Sequence, residues 1–130
     1  MTETETVRAF FDALVSMEAE RVLAFAADDI VYENVSLPKA DGKRAFEQQM
    51  RGFARLFDRF EVEFLHVAQR DDVVLTERVD ALGRGGYLMK FWVCGTLRVR
   101  DEKIVLWRDY FDWLNLSAGA LRGVRGLFRR

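Results

Sequence analysis

The chain has 130 residues, of which 50% are hydrophobic and 13% aromatic, and its formal net charge is -1. This composition suits one globular domain over residues 1–130 with a substantial core, and it excludes a disordered chain. Because acidic and basic residues balance, we expect no nucleic-acid partner. Cys94 is the single cysteine and His66 the single histidine. An intrachain disulfide is therefore excluded, and a Cys/His metal cluster is not expected.

The sequence gives no sign of a membrane partner. Its first residues are acidic, and no apolar run approaches the length of a membrane span. We therefore expect a cytoplasmic protein. Only the C-terminus is biased in charge, through Arg122, Arg125, Arg129 and Arg130. A solvated final helix or tail over about residues 116–130 is favoured there over a site for an anionic partner.

Three helices are predicted in the first half of the chain. The apolar residues of 4–14 and of about 17–27 fall at helical spacing, and threonines are available to cap the first stretch. A strand is predicted over residues 30–35, and a turn follows because Pro38 and an Asp-Gly pair disfavour regular structure. The third helix carries an apolar stripe, formed by Phe46, Met50, Phe53 and Phe57.

The second half has the alternating pattern of strands. Extended stretches are predicted over residues 60–69, 73–82, 87–100 and 104–113, with short turns between them. We expect hairpins of a curved, mixed or mainly antiparallel sheet. Helices that precede long hairpins predict an α+β fold with the helices on one face of the sheet.

A final helix is the least regular prediction. Ser117 is suited to cap it, and Leu121, Val124 and Leu127 would then lie on one side. Three glycines weaken its helical propensity, namely Gly119, Gly123 and Gly126.

Two of the predicted strands place charged residues among residues typical of a sheet core. Alternate residues of a strand share a face, so Arg78 and Asp80 point one way, while Asp109 shares an apolar face with Trp107 and Phe111. Carboxylates are rarely buried unless they are paired. We therefore expect Asp80, Arg78 and Asp109 to meet inside one hydrophobic pocket.

Two carboxylates with an arginine between them are suited to acid and base catalysis. Burial and the second negative charge favour one proton on the pair, while the arginine keeps the other carboxylate ionised. Tyr32 and Asn34 share a face of the first strand and can hold a water molecule. No Gly-x-Ser-x-Gly elbow, phosphate loop or metal-ligand set can be assembled. Cofactor-free chemistry on a small apolar substrate is what remains.

Four stretches form a specific combination. They are Tyr32-Glu33-Asn34, Leu37-Pro38, Thr76-Glu77-Arg78-Val79-Asp80 and Trp107-Arg108-Asp109-Tyr110-Phe111-Asp112. In this order and at this spacing they closely resemble the limonene-1,2-epoxide hydrolase family. The resemblance implies a cone-shaped α+β domain of the NTF2-like or SnoaL-like, cystatin-like kind. Its N-terminal helices would pack on the concave face of the sheet around a deep hydrophobic pocket, and it would be a homodimer.

The resemblance also implies how a small lipophilic epoxide would be opened by water. The reaction would take one step, without a cofactor, a metal or a covalent intermediate. Asp109 would be the general base on water, and Tyr32 and Asn34 would position that water. Asp80 would protonate the epoxide oxygen, and Arg78 would bridge both carboxylates. The substrate site would be lined by Leu82, Trp107 and Phe111.

Other interpretations stay open at this stage. Asp80, Arg78 and Asp109 would also be buried in a purely structural ion pair. A ketosteroid isomerase or polyketide cyclase can share the fold, although an arginine between two acids suits those reactions poorly. A third alternative is a non-catalytic domain that binds a lipophilic ligand unchanged.

The remaining polar residues of the strands are given structural roles. His66 is expected to be a buried structural histidine, because Phe64 and Ala68 share its predicted face. Arg108 and Asp112 point away from Asp109 and are expected to be surface or dimer-interface charges. The natural epoxide is not predicted, because pocket shape decides it.

Overall fold

The computed structural model describes residues 1–128, so Arg129 and Arg130 of the basic C-terminus lie outside the described residues. No helix within this part of the chain is both long and apolar enough to cross a membrane. The elements follow in the order α1 (Glu3–Val15), α2 (Ala19–Phe25), β1 (Ala26–Asn34), β2 (Ala40–Asp41), α3 (Lys43–Leu56), β3 (Arg59–Arg70), β4 (Val73–Arg84), β5 (Tyr87–Arg100), β6 (Lys103–Phe111) and α4 (Trp113–Arg125).

The six strands form one mixed sheet in the order β2-β1-β6-β5-β4-β3. Strands β3 to β6 pair antiparallel in chain order, β1 runs parallel to β6, and β2 pairs antiparallel with β1. The α+β class with a mixed sheet is thereby confirmed. Where only a turn was predicted, the chain forms the two-residue strand β2.

The register of this sheet brings the predicted site residues side by side. Asn34 of β1 is paired with Asp109 of β6, and Asp109 is paired with Gly95 of β5. Arg78 of β4 is paired with Val93 of β5, two residues from that glycine. Side chains of β1, β6 and β4 therefore converge on one face, which we call the inner face, with Gly95 of β5 between them.

The inner face is covered by the N-terminal helices through an aromatic core around Trp107. Phe10 and Phe11 of α1 meet its indole edge-on, with ring centroids 5.2 and 5.6 Å away. Tyr32 stacks on the same indole at 4.3 Å. Phe46 of α3 is fully buried in this cluster. Burying each such side chain contributes roughly 1.5–3 kcal/mol, so the helices are held firmly over the sheet.

The prediction that His66 is buried is wrong. Its side chain is 84% exposed, and its Nδ1 lies 2.9 Å from Oε1 of Glu77 on the opposite, outer face. The pairing of β3 with β4 shifts register between Phe64 and His66. This irregularity adds one residue, so the alternation reverses, and Val67 rather than His66 packs against the core.

The C-terminal helix begins earlier than predicted. Strand β6 ends at Phe111, and Asp112 caps α4 by accepting hydrogen bonds from the backbone N–H groups of Leu114 and Asn115 at 3.0 and 3.2 Å. The predicted cap at Ser117 and the strand end at residue 113 are therefore wrong. The expectation of a surface or interface charge at Asp112 missed this capping role.

Helix α4 lies along a part of β5 that β6 does not pair with. The β6 pairing of β5 covers Val93–Arg100, so the stretch before Val93 has a free edge on that side. Asn115 accepts a hydrogen bond from the backbone N–H of Trp92 at 2.7 Å. Gly119, Gly123 and Gly126 face β5 and the turn before it, where any Cβ would collide. The glycines that weaken the helix in isolation thus permit its close packing here.

Candidate active site

Arg78 is the centre of a buried ionic cluster. Its side chain has 0% exposure, and its guanidinium lies between two carboxylates. Nε and Nη2 donate to the two oxygens of Asp80 at 3.0 and 2.9 Å, while Nη1 and Nη2 donate to those of Asp109 at 3.2 and 2.9 Å. Nη1 also donates to Oγ1 of Thr76 at 2.9 Å. All five N–H groups of the guanidinium have acceptors, so its orientation is fixed.

The electrostatics of the cluster favour one retained proton. Asp80 and Asp109 are both buried, and within residues 1–128 one guanidinium faces their two carboxylates. Burial raises the pKa of Asp80, the hydrogen bonds and charge of Arg78 oppose this, and the charge of Asp109 adds to the rise. Burial alone would lower the pKa of Arg78, but Asp109 and Asp80 raise it above its usual value. The arginine therefore stays charged, and Asp80 is the carboxyl suited to hold a proton.

Tyr32 and Asn34 stand beside Asp109 on the neighbouring strand. The amide Nδ2 of Asn34 donates to the phenol oxygen of Tyr32 at 3.2 Å, and both residues are buried. Burial, and then the negative charge of Asp109, raise the pKa of Tyr32 above its usual value. The phenol is consequently protonated at neutral pH and able to donate a hydrogen bond.

These polar groups line a largely apolar cavity of about 320 Å³. Tyr32, Asn34, Asp80 and Asp109 all contribute to its surface, whereas Arg78 lies behind the two carboxylates. The lining residues predicted from the sequence are all present, namely Leu82, Trp107 and Phe111. The helices supply further apolar side chains, among them Leu14, Val22, Met50, Phe53, Trp113 and Leu116. The cavity is thus suited to a small lipophilic molecule.

Several contacts of the cluster were missed by sequence reasoning. The indole N–H of Trp107 donates to Oδ1 of Asp109 at 2.9 Å, so this residue does more than line the cavity. The guanidinium carbon of Arg78 lies 4.5 Å from the ring centre of Phe11, a cation–π contact. Thr76 also accepts a hydrogen bond from Arg78. The sequence signal for this contact is that the two residues share one face of the predicted strand. For Gly95 the signal is an isolated glycine inside the predicted strand 87–100, which often marks a close approach.

The other charged residues of these strands lie apart from the cavity. On the outer face Arg108 forms an ion pair with Glu33 at 2.8 Å. Glu77 accepts a hydrogen bond from the indole of Trp92 at 2.7 Å, besides its contact with His66. Within residues 1–128 no group of three or more His, Cys, Asp or Glu side chains is placed to hold a metal ion.

Comparison with known proteins identifies the family. The sequence model of the limonene-1,2-epoxide hydrolase catalytic domain matches residues 1–122. The chain belongs to the limonene-1,2-epoxide hydrolase family. It is an enzyme, an epoxide hydrolase of the limonene-1,2-epoxide hydrolase type. The family resemblance seen in the sequence is thereby confirmed.

Relatives of this epoxide hydrolase support the assignment. The chain is 42% identical over 123 residues to epoxide hydrolase EphG of Mycobacterium tuberculosis, a match that covers 93% of this chain and 80% of that protein. A solved LEH-like epoxide hydrolase from M. tuberculosis superposes with a TM-score of 0.87 at 40% identity, over 97% of this chain and 94% of that one.

More distant structures agree with the fold alone. A protein from Shewanella putrefaciens described as a SnoaL-like polyketide cyclase has a TM-score of 0.80 at 13% identity, over 94% of this chain and 88% of that chain. Together with the LEH-like neighbour, it confirms the predicted NTF2-like or SnoaL-like cone fold. At this identity it carries no argument about activity.

Proposed function

We propose that this epoxide hydrolase opens its substrate in one step, by attack of water assisted by a general base and a general acid. Asp109 is the base and Asp80 the acid. Arg78 bridges the two, and Tyr32 and Asn34 hold the attacking water. The observation that carries this proposal is the placement of one guanidinium between two buried carboxylates at the wall of an apolar cavity.

The proposed step balances in protons and bonds. Asp109 takes a proton from water as the new carbon–oxygen bond forms, and Asp80 gives its proton to the epoxide oxygen as the ring carbon–oxygen bond breaks. The product is a vicinal diol. The cluster then has its proton on Asp109, and return of that proton to Asp80 restores the starting state. Each proton transfer is worth roughly 10²–10⁴ in rate.

The charge state of the cluster supports these roles. A general acid must keep its proton at neutral pH, and burial raises the pKa of Asp80. A phenol that stays protonated can donate to the water while that water donates to Asp109, and burial raises the pKa of Tyr32. No covalent ester is required, because the base acts on water and not on the epoxide carbon.

We propose a small lipophilic epoxide as the substrate, without a cofactor. A cavity of about 320 Å³ accepts a compact molecule, and its apolar lining desolvates the epoxide ring beside the acids. Leu82, Trp107 and Phe111 would contact the hydrocarbon part of such a substrate. A panel of terpene, cyclic and sterol epoxides, scored by diol formation, identifies the preferred skeleton.

A single turnover in oxygen-18 water tests the mechanism. With enzyme in excess over epoxide, one-step attack puts the label in the diol and none in the protein. Label in the carboxylate of Asp80 or Asp109, with an unlabelled diol, would indicate a covalent ester and overturn the proposal. Asp80→Asn and Asp109→Asn are expected to be inactive with unchanged circular dichroism. Activity retained by either variant would exclude the role assigned to that residue.

We also propose that the hydrolase is a homodimer that pairs through the outer face of the sheet. That face exposes Leu75, Trp92 and Tyr110 at 51, 39 and 43%. Exposed apolar patches of this kind favour association between proteins. Leu75→Glu is expected to give a monomer in sedimentation velocity, while Leu56→Glu, at a 63% exposed residue of α3, should not change the state. Monomeric unmodified protein would contradict the proposal.

We propose that residues 1–130 form one domain, which agrees with a single sheet that contains all six strands. We propose a cytoplasmic location on the sequence alone, and its single cysteine agrees with this because disulfides are rare in that compartment.

A further inference from the structure

The two carboxylates of the cluster receive unequal numbers of hydrogen bonds. Asp80 accepts two from protein side chains, both from Arg78. Asp109 accepts three, because the indole Nε1 of Trp107 adds a bond of 2.9 Å to the two from Arg78. The third donor distinguishes two acids that are otherwise bridged in the same way.

The extra bond also distinguishes the two oxygens of Asp109. Oδ1 accepts from Nε1 of Trp107 and from Nη1 of Arg78 at 3.2 Å, so both of its acceptor directions are used. Within the described chain, residues 1–128, Oδ2 accepts from Nη2 of Arg78 at 2.9 Å and from no other donor, so one acceptor direction is free. Among the contacts of residues 1–128, Oδ2 is therefore the oxygen able to take a new proton.

Trp107 is held too firmly to leave this bond. Its indole is buried, stacks on Tyr32 at 4.3 Å and meets Phe10 and Phe11 edge-on. A buried indole N–H also needs an acceptor, because leaving it unpaired is costly. Since Trp107 touches both the phenol of Tyr32 and the carboxylate of Asp109, it fixes the geometry between the two groups assigned to the water.

From this geometry we propose that Trp107 is a positioning residue that sets the division of roles between the two acids. Its N–H stabilises Asp109 in the ionised form, which directs the shared proton to Asp80, and it occupies Oδ1 so that Oδ2 receives the proton from water. Hydrogen bonds to the charged form favour that form, which is the physical basis. The inference rests on the proposed function, because it assumes that Asp109 is the base.

Trp107→Phe tests the proposal, because it keeps an aromatic ring and removes the donor. The expected result is a kcat lower by about 10-fold to 100-fold, the worth of a hydrogen bond to a charged group. The acidic limb of the kcat/KM profile should move to higher pH, since the ionised form of the base would have one hydrogen-bond donor fewer. A second variant carries benzothienylalanine at position 107, which keeps the bicyclic shape without the N–H and should give the same shift.

The matched control is Trp92→Phe. Trp92 also donates its indole N–H to a carboxylate, Oε2 of Glu77 at 2.7 Å, but it lies on the outer face away from the cavity. Loss of this N–H should leave the acidic limb of the kcat/KM profile at the same pH. If the acidic limb of the kcat/KM profile stays at the same pH in both position-107 variants, Trp107 has a merely structural role and the inference is overturned. This holds even if stability or KM changes. The oxygen-18 experiment with unmodified enzyme decides the proposed function separately.

Discussion

Gly95 of β5 lies so close to the ion pair between Arg78 and Asp109 that no side chain fits there. A Cβ atom on Gly95 would lie 2.5 Å from Nη1 of Arg78 and 2.6 Å from Oδ1 of Asp109. It would also lie 3.0 Å from Oγ1 of Thr76. Glycine in a strand interior often marks such a close approach. The empty space above Gly95 is therefore what lets the guanidinium reach from β4 to β6.

Gly95→Ala is predicted to separate Arg78 from Asp109 and to lower kcat by at least about 10²-fold. A displacement of about 1 Å in a catalytic group can have an effect of that size. Activity assays and thermal unfolding check the prediction. Cys94→Ala is the matched control, because its side chain points to the outer face of the same strand. Comparable activity in the two variants would contradict the prediction.

The sequence is sufficient to bring the charged residues to one face, but not to define their contacts. Alternation within one strand places Arg78 with Asp80, and the apolar neighbours of Asp109 indicate burial. Contacts across strands depend on register, which one strand does not specify. The role of Gly95 arises only when β4, β5 and β6 are aligned. The Trp107 N–H contacts Asp109 within β6, but shared strand parity does not specify which side chain the indole nitrogen reaches.

Two errors of sequence reasoning have the same kind of cause. Strict alternation predicts His66 inside, whereas one irregular residue in β3 reverses the pattern. Helix propensity disfavours the glycines of α4 because it considers the helix in isolation. In the structure they face β5 at a distance that only glycine allows. Tertiary contacts decide both cases.

Asp80→Asn is predicted to be more stable than the unmodified enzyme. The difference in free energy of unfolding should grow as the pH rises. Burial raises the pKa of Asp80 above the unfolded value of about 3.9, so the native state binds this proton more tightly than the unfolded state. Stability contributed by the proton is present below pH about 4 and is lost as pH rises through the folded pKa. The amide resembles the protonated acid and lacks this loss. Urea unfolding at pH about 4, 6 and 8 measures the difference, and a difference that shrinks with pH would contradict the prediction.

Arg78→Met is predicted to destabilise the fold at neutral pH by about 3–5 kcal/mol, because two buried carboxylates lose the guanidinium that bridges them. The loss of stability should be smaller near pH 4, because burial raises the pKa of Asp80 and its protonation leaves less uncompensated charge. Urea unfolding at both pH values checks this dependence. Arg108→Met is the control, since Arg108 pairs with Glu33 on the outer face. An equal loss in free energy of unfolding in both variants would contradict the prediction that Arg78 is needed to neutralise the buried carboxylates.

Gly123→Ala is predicted to destabilise the hydrolase by about 1–3 kcal/mol through overpacking. A Cβ at this position would lie 2.8 Å from Cε2 of Tyr87 and 2.9 Å from the carbonyl oxygen of Leu88, so α4 must move away from β5. Gly52→Ala in α3 is the control. Apart from its chain neighbours and the adjacent backbone of α3, no atom of the described residues lies within 4 Å of its Cβ position, so alanine there should stabilise by up to about 1 kcal/mol.

Substrate binding should also respond to Gly123→Ala. Trp113 and Leu116 belong to α4 and line the cavity, so a displaced helix is expected to raise KM more than it lowers kcat. The carboxylates and Arg78 stand on β4 and β6 and should keep their geometry. Steady-state kinetics with one epoxide on the Gly123→Ala and Gly52→Ala variants measure this split. A fall in kcat at constant KM would contradict this prediction, because it would mean that α4 holds the reacting groups in place and does not only line the cavity.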